Sequence, residues 1–142
     1  MVKTLHESPS FSLCHDSENN WLFAQWSGLQ SKATSLAACA VILQQARHVS
    51  YLKLLCDSSQ ALDGWNGISE WVSTNYLPQL ADAGIGVIAW INARDWQTNT
   101  VISDFIQHSE KPFIATFDEG ATAYEWLRHT HFGKPSTPAK QR

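Results

Sequence analysis

Residues 85–91, IGVIAWI, decide the fold that the sequence predicts. Nearly every side chain in this stretch is apolar, which is typical of a strand covered on both faces in a parallel sheet. Two further stretches have a similar character: YLKLLC at 51–56, which runs into Asp57, and FIATF at 113–117. The sequence therefore predicts a set of buried strands in the central and C-terminal parts of the chain.

Segments with helical spacing separate these strands. Ser31 is predicted to cap a helix that runs to about His48, because apolar residues recur there every three or four positions. A second amphipathic pattern covers residues 68–83. A kink or break is expected in it at Pro78, since proline lacks the N–H group that a helix interior needs. Gly84 suits the end of that helix.

The connections that follow the central strands are expected to be loops. Residues 57–67 indicate a loop by their composition, and a second loop is expected over 92–98. The second loop leads to a helix whose apolar side chains lie between Val101 and Ile106. Asp118 is predicted to cap the final helix.

The N-terminal part predicts a hairpin. Two short strands are expected at 11–15 and 21–26, on either side of the turn formers at 16–20. Residues 1–10 are polar and contain Pro9, which indicates an irregular entry. The predicted fold class is α/β: an N-terminal β-hairpin is followed by alternating helices and strands, and one mostly parallel sheet has helices packed on it.

The length of 142 residues fits a single domain. We expect an ordered core over about 11–128 and a flexible tail over 129–142, which holds three of the ten Lys and Arg residues and none of the thirteen acids. A net charge of −3 gives no electrostatic attraction to nucleic acid. No apolar run reaches the roughly 20 residues of a membrane-spanning helix, so no membrane insertion is expected.

Cysteine usage and the N-terminal residues predict the compartment. Cys14, Cys39 and Cys56 each lie in an apolar stretch, and no two of them have C-x-x-C spacing. Buried free thiols are typical of a reducing compartment. The first residues contain no apolar signal segment. We therefore expect a cytoplasmic protein.

Several short patterns resemble catalytic or ligand-binding motifs, but their position in the predicted fold or the residues around them exclude that function. The G-x-G-x-x-A match at 84–89 lies in a predicted strand, whereas a dinucleotide fingerprint opens a helix. Residues 57–64 lack the glycine that a calcium loop has at its sixth position. His129 and His131 have no further zinc ligands nearby in sequence. Since no G-x-S-x-G is present either, we expect no cofactor, no metal and no catalytic residue.

The order and spacing of these segments resemble the STAS-like (SpoIIAA-like) superfamily, in particular its small stand-alone bacterial members. The likeness covers roughly residues 11–128. The residues that carry it are Trp21 to Trp26 before Gly28, Tyr51 to Asp57, Glu70-Trp71 with Pro78 and Gly84, Gly86 to Ile91, and Phe117-Asp118 with Glu125-Trp126-Leu127. The resemblance implies a regulatory module that works through protein contacts.

The resemblance also implies candidate phosphoacceptors. Anti-sigma-factor antagonists of this superfamily are switched by phosphorylation of a serine in an Asp-Ser-Ser-Gly-Leu-type segment at a helix start. This chain has Asp57 followed by Ser58 and Ser59, but Gln60-Ala61 stands in place of Gly-Leu. Ser69 is an alternative acceptor, because it lies near the start of the next predicted helix. A phosphate at a helix start would meet backbone amides that favour negative charge.

Two of the seven tryptophans, Trp65 and Trp96, fall in predicted loops that follow successive strands. In open α/β sheets, ligands and partners bind outside the carboxyl ends of the strands. We therefore predict one binding face, or alternatively that both rings fold back as lids on small satellite cores. The residues of the predicted face are Asp57, Trp65, Asn66, Asn92, Arg94 and Trp96.

Function is predicted at the level of class. The favoured class is a non-enzymatic regulatory or protein-interaction module with an unidentified protein partner, and a homodimer is compatible with the aromatic surface. The alternative is a carrier or binder of a small apolar or lipid-like ligand, which requires a pocket of a few hundred Å³. An enzyme of another type would require a cleft with strongly perturbed titratable groups.

Overall fold

The computed structural model describes residues 1–49 and 51–131. Within these ranges six strands form one sheet, and their order in the sheet is their order in the chain. The first two pairings are antiparallel and the following three are parallel, which confirms the predicted α/β class. The strands are β1 (Val2–Ser8), β2 (Phe11–Asp16), β3 (Trp21–Leu29), β4 (Lys53–Leu62), β5 (Val87–Ile91) and β6 (Phe113–Phe117).

The first helix, α1 (Lys32–His48), begins and ends where the sequence predicts. Ser31 Oγ accepts a hydrogen bond from the Thr34 amide at 3.1 Å, and Thr34 Oγ1 accepts one from the Ser31 amide at 2.8 Å. This reciprocal capping box satisfies backbone donors that the helix itself leaves free. The later helices are α2 (Ser69–Trp71), α3 (Leu77–Asp82), α4 (Trp96–Gln107) and α5 (Gly120–His129).

Residues 2–8 form a strand, so the expectation of an irregular entry over 1–10 is wrong. β1 pairs antiparallel with β2, and the ordered core therefore begins well before residue 11. Most of its side chains are exposed, as expected for an edge strand, and only Leu5 is partly buried against the first core. A strand of this kind needs no alternation of apolar residues, and its sequence carries none. The predicted flexible tail at 129–142 lies outside the described residues from 132 onward.

β4 is longer than predicted and takes up the first half of the expected loop at 57–67. Its outer end pairs with the end of β3, where Gly28 lies beside Ala61 and Leu29 beside Leu62. Ser58 and Ala61 are buried by this extension. Backbone pairing with a neighbouring strand thus overrides the weak strand preference of Asp and Ser in this segment.

The helix predicted over 68–83 is interrupted close to Pro78. A π-helical turn, Val72–Tyr76, separates α2 from α3, and the Leu77 amide donates to the Val72 carbonyl five residues earlier. Pro78 then occupies the first turn of α3, where its missing N–H costs no helical hydrogen bond. The predicted interruption is therefore a π-helical turn within a continuous helical segment, and it lies just before the proline.

The two faces of the sheet are covered unequally. The first face carries α1 to α4 over a core that includes the stacked rings of Trp26 and Trp90, whose centroids are 5.7 Å apart. The second face carries α5, which packs over β4, β5 and β6 and reaches β3 through Trp21. In the described part of the chain, no helix lies over the second face of β1 and β2.

None of the helices in the described ranges combines the length and the apolar character that a membrane crossing needs.

Candidate functional site

The loops after β4 and β5 lie side by side at the carboxyl edge of the sheet, as the sequence predicts. The Arg94 amide donates to the Ser59 carbonyl at 3.3 Å, which fixes the second loop against β4. The Asp63 amide donates to Thr98 Oγ1 at 2.7 Å and joins the first loop to α4. This edge is where open α/β sheets present their binding residues.

A capping interaction organises the edge. Asp95 Oδ2 accepts hydrogen bonds from the Thr98 amide at 3.0 Å and from Thr98 Oγ1 at 2.7 Å. These two bonds lower the pKa of the Asp95 carboxyl. Since Thr98 Oγ1 also receives the Asp63 amide, one hydroxyl links the helix cap to the opposite loop. Asn66 Nδ2 donates to Asp63 Oδ1 at 3.0 Å and completes the polar rim.

Trp96 lies at this edge in the first turn of α4. The expectation of a loop over 92–98 is therefore wrong for its second half, because Asp95 caps a helix that begins at Trp96. The indole is 77% exposed. Leu29 and Leu62, which are partners at the outer ends of β3 and β4, are also exposed. We call Leu29, Leu62 and Trp96 the edge patch.

Beside the edge patch lies a shallow cavity of about 200 Å³. Leu62 and Val101 supply its apolar lining, and Asp63, Asn66 and Asp95 supply its polar lining. Among the residues that the structure describes, no Lys, Arg or His lines it. The cavity thus offers a small, mostly hydrogen-bonding recess next to Leu62 of the edge patch.

Trp65 is not an exposed contact residue. Its side chain is 1% exposed and packs against Phe105 and Trp26, with ring centroids 5.2 and 5.7 Å away. The chain turns inward at Asp63 and Gly64, which both have positive φ angles. Trp65 thus lies in the main core and is not a lid on a small satellite core, although the residue still borders the cavity beside the edge patch.

Asp57 does not lie on the same surface as Trp96. Successive side chains of a strand point to opposite faces, and Ser58 faces the first core. Asp57 therefore lies on the second face, in a cleft near α5. Of the six residues of the predicted face, Asn66, Arg94 and Trp96 are exposed at the carboxyl edge.

Asn92 connects the edge to the start of α5. Its Nδ2 donates to Asp118 Oδ1 at 2.9 Å. The prediction that Asp118 caps the last helix is wrong, because the N-cap residue is Glu119, which makes no side-chain capping bond. The Asp118 carboxylate instead accepts the hydrogen bond from the Asn92 side chain. The backbone amide of Asn92 donates to the Phe117 carbonyl at 2.7 Å.

The three candidate phosphoacceptors have different surroundings, and of the three only Ser69 lies at a helix start, as predicted. Ser58 is fully buried, and its hydroxyl donates to the Ile91 carbonyl at 2.7 Å, which disfavours phosphorylation of this residue in the folded protein. Ser59 is half-buried within β4, far from a helix start. Ser69 begins the three-residue helix α2, but its hydroxyl donates to Asp104 Oδ2 at 3.0 Å, and a phosphate there would face a carboxylate.

The three cysteines carry free thiols. Cys39 and Cys56 are buried as predicted, and Cys14 is half-buried. Burial raises the pKa of the Cys39 thiol to about 12 and raises that of Cys56 well above its ordinary value. Both thiols are therefore protonated near neutral pH and are poor nucleophiles. Among residues 1–49 and 51–131, no group of three or more His, Cys, Asp or Glu side chains converges on a metal site.

The most important edge residues that the sequence analysis missed are Asp63, Asp95 and Thr98. Asp95 and Thr98 do carry a local signal, since an N-cap aspartate followed three residues later by Thr is a helix-start pattern. The role of Asp63 has no such signal, because it depends on the approach of α4 to the end of β4.

No protein-family model matches the sequence, and no curated protein shows significant similarity to it. The functional interpretation therefore rests on the geometry of the carboxyl edge and of the second face.

Proposed function

We propose that this protein is a non-enzymatic interaction module of STAS-like type that binds a protein partner through the edge patch. The observation that carries the proposal is the exposure of Trp96, whose indole is 77% accessible at the carboxyl edge of the sheet. Tryptophan is among the residues most enriched at the energetic centres of protein interfaces.

The neighbourhood of Trp96 supports an interface. Leu29 and Leu62 add apolar surface along the same edge, and both are more than a third exposed. Asp63, Asn66 and Arg94 are also exposed there. An apolar centre with a polar rim is the usual composition of a protein contact surface.

Rigidity of the loops also supports binding. Asp95 and Thr98 hold the start of α4, and the Asp63 amide ties the neighbouring loop to the same hydroxyl. Because these hydrogen bonds order the loops before any partner arrives, little further conformational entropy is lost on association.

Two observations favour the STAS-like type of the module and its cytoplasmic location. The arrangement of β3 to β6, parallel strands linked by helical segments, agrees with the coarse architecture that the STAS-like resemblance implies. The free, buried thiols of Cys39 and Cys56 suit a reducing compartment such as the bacterial cytoplasm. A serine switch has less support, since Ser58 is buried and Ser69 faces Asp104.

The decisive experiment identifies the partner by contact. A photoreactive amino acid at Gln97, next to Trp96, is expected to crosslink a specific partner in bacterial cells, which mass spectrometry then identifies. A crosslink between two copies of the chain would identify the partner as a second copy and the complex as a homodimer.

Calorimetry with the recombinant partner then tests the anchor. Trp96→Ala should weaken binding by about 2 kcal/mol or more, which is roughly a 30-fold rise in Kd. Trp71→Ala is the matched control, because Trp71 is an exposed tryptophan on α2 that stacks on Tyr76. Equal Kd values for wild type, Trp96→Ala and Trp71→Ala would refute the proposal.

A second candidate function, a carrier of a small ligand, is favoured by the cleft on the second face, which has a volume of about 310 Å³. Small-molecule pockets typically occupy roughly 300–1,000 Å³. Native mass spectrometry of protein purified from bacterial cytosol tests it. Additional mass that disappears on denaturation would support a carrier, and a native mass equal to the chain or its multiple would contradict one.

A further inference from the structure

The cleft on the second face arises from the short reach of α5. This ten-residue helix packs over β4 to β6, so the second face of β2 and β3 meets its flank as an open recess. The residues that matter for its chemistry are Asp16, Trp21, Phe23, Leu55, Asp57 and Tyr124. The cleft is separate from the edge patch, so a ligand could occupy it whether or not a protein partner is bound.

Aromatic rings form the walls of the cleft. Trp21 and Tyr124 meet edge to face, with ring centroids 5.3 Å apart. Asn19 Nδ2 fixes this corner, because it donates to the Tyr124 hydroxyl at 2.6 Å and to Asp16 Oδ2 at 2.8 Å. Phe23 packs as a half-buried side chain against the same cluster. The walls are thus apolar and held in place before a ligand binds.

The charge of the cleft is negative. Two carboxylates, Asp16 and Asp57, lie among its lining residues, and within residues 1–49 and 51–131 no Lys, Arg or His side chain lines it. Lys53 approaches one wall of the cleft, with Nζ 5.8 Å from the centre of the Trp21 ring. Its ammonium donates to the Leu127 carbonyl, and burial lowers its pKa. The Lys53 ammonium therefore stabilises the C-terminal part of α5 and does not neutralise the carboxylates of Asp16 and Asp57.

Asp57 has acceptor capacity for a ligand. Its Oδ1 accepts from the Ser59 amide at 2.9 Å, whereas the contact of Oδ2 with Gln25 Nε2 is long, at 3.5 Å. Asp16 is more fully engaged, because it accepts from the amides of Glu18 and Asn19 as well as from the Asn19 side chain. A donor that enters the cleft would therefore find its best acceptor at Asp57.

Resting on the small-ligand function proposed for the same cleft, we propose that it binds a small organic ammonium ion with an apolar body, which pairs its ammonium with Asp57 and packs its body between the rings. A charge-assisted hydrogen bond to a carboxylate is stronger than a neutral one, and aromatic faces attract cations. A fatty acid or another organic anion is disfavoured, since two carboxylates without a cation would repel it. A bare metal ion requires about six or more oxygen ligands, whereas the cleft offers two aspartates, one of which already accepts three hydrogen bonds.

Three probes that share a phenylethyl body and differ in the head group test the chemistry: 2-phenylethylammonium, 2-phenylethanol and 3-phenylpropionate. Titration calorimetry on the full chain should show binding of the ammonium ion, about tenfold or more weaker binding of the alcohol, and the weakest binding of the carboxylate. Chemical-shift changes at the Trp21 indole should locate the ammonium ion in the cleft. Equal affinity for the alcohol and the ammonium ion, or no binding of the ammonium ion, would overturn the proposal.

Two variants test the role of Asp57. Asp57→Asn keeps the shape and should raise the Kd of 2-phenylethylammonium about tenfold or more. Asp118→Asn is the control, because Asp118 is an exposed aspartate outside the cleft, and it should leave the Kd unchanged.

If Asp57→Asn fails to fold, Gln25→Lys provides the test without removing the carboxylate. The new ammonium would lie beside Asp57 and should exclude the probe while the melting temperature is maintained. Undiminished binding of 2-phenylethylammonium by Gln25→Lys would overturn the proposal.

Discussion

The indole Nε1 of Trp90 donates a hydrogen bond of 2.9 Å to the Ser58 hydroxyl inside the first core. The Ser58 hydroxyl in turn donates a hydrogen bond of 2.7 Å to the Ile91 carbonyl. One small polar side chain thus satisfies the polar atom of a large buried ring, and it links β4 to β5 in addition to their backbone bonds.

Removal of this hydroxyl should destabilise the fold. Ser58→Ala leaves Trp90 Nε1 without its partner, so the free energy of unfolding should fall by about 1–3 kcal/mol. Ser58→Glu, which imitates a phosphate, should prevent folding because it buries a charge without a counterion. Urea unfolding followed by circular dichroism measures both effects. Ser59→Ala is the control and should stay within about 0.5 kcal/mol of wild type, and an equal loss in both alanine variants would contradict this role.

Trp65 and Trp96 should respond oppositely to truncation. Trp65→Ala empties a ring-sized space between Phe105 and Trp26 and should cost about 3–5 kcal/mol of unfolding free energy. Trp96→Ala removes an exposed ring and should change that free energy by less than about 0.5 kcal/mol. Thermal unfolding of the two variants compares them directly. A large loss in Trp96→Ala would mean that its indole stabilises the edge and would weaken the proposed binding role.

The difference between these two tryptophans shows where sequence reasoning succeeds. The sequence predicts both in loops at the carboxyl edge, and the structure does bring those segments together. Whether each ring points outward cannot be predicted, because the burial of Trp65 depends on the turn at Gly64 and on the position of Phe105 in α4. Residues distant in sequence decide such orientations.

The position of Asp57 outside the predicted binding face, in contrast, follows from the local geometry of β4. Side chains alternate along a strand, so Asp57 must face away from its buried neighbour Ser58 once β4 continues beyond residue 57. The predicted face is wrong at this position because the predicted strand ends at Asp57. The predictions of β5 and α1 are accurate, because a continuous apolar run and a helical period are signals that a strand or helix carries within itself.

Gly64 should tolerate no side chain. Its φ angle is +99°, and an added Cβ would lie 2.4 Å from Gln30 Cβ and 2.8 Å from Ser35 Oγ. Gly64→Ala should therefore destabilise the protein by more than Gly67→Ala. Gly67 has a φ angle of +83°, but an added Cβ there would meet no atom within 4 Å, so only backbone strain of about 1 kcal/mol is expected. Similar melting temperatures for the two variants would contradict the close contact with Gln30.

The stability of the edge should depend on pH through Asp95. Hydrogen bonds from Thr98 place the pKa of this carboxyl in the folded protein below its usual 3.8. The unfolded chain therefore takes up a proton first as the pH falls. The stabilisation by Asp95 is fully present above pH 3.8 and is lost as the pH falls through the lower folded pKa.

Urea midpoints measured from about pH 6 down to about pH 2 test this dependence. The difference between wild type and Asp95→Asn should be largest at the upper end and should shrink in strongly acidic solution. Thr98→Ser keeps the hydroxyl and should behave as wild type, whereas Thr98→Val should reduce the pH dependence. A constant difference between wild type and Asp95→Asn across the range would refute the assignment.

The sequential strand order of the sheet has a consequence for folding during synthesis of the chain. Since each strand pairs with the one that precedes it in the chain, every strand that leaves the ribosome can find its partner already synthesised. The closing element comes last, because α5 covers Leu55, Val87 and Ile91 on the second face. A nascent chain that has not yet reached residue 120 therefore exposes the apolar side chains of the second face. These side chains are removed from water only when α5 has been synthesised and packs on the sheet.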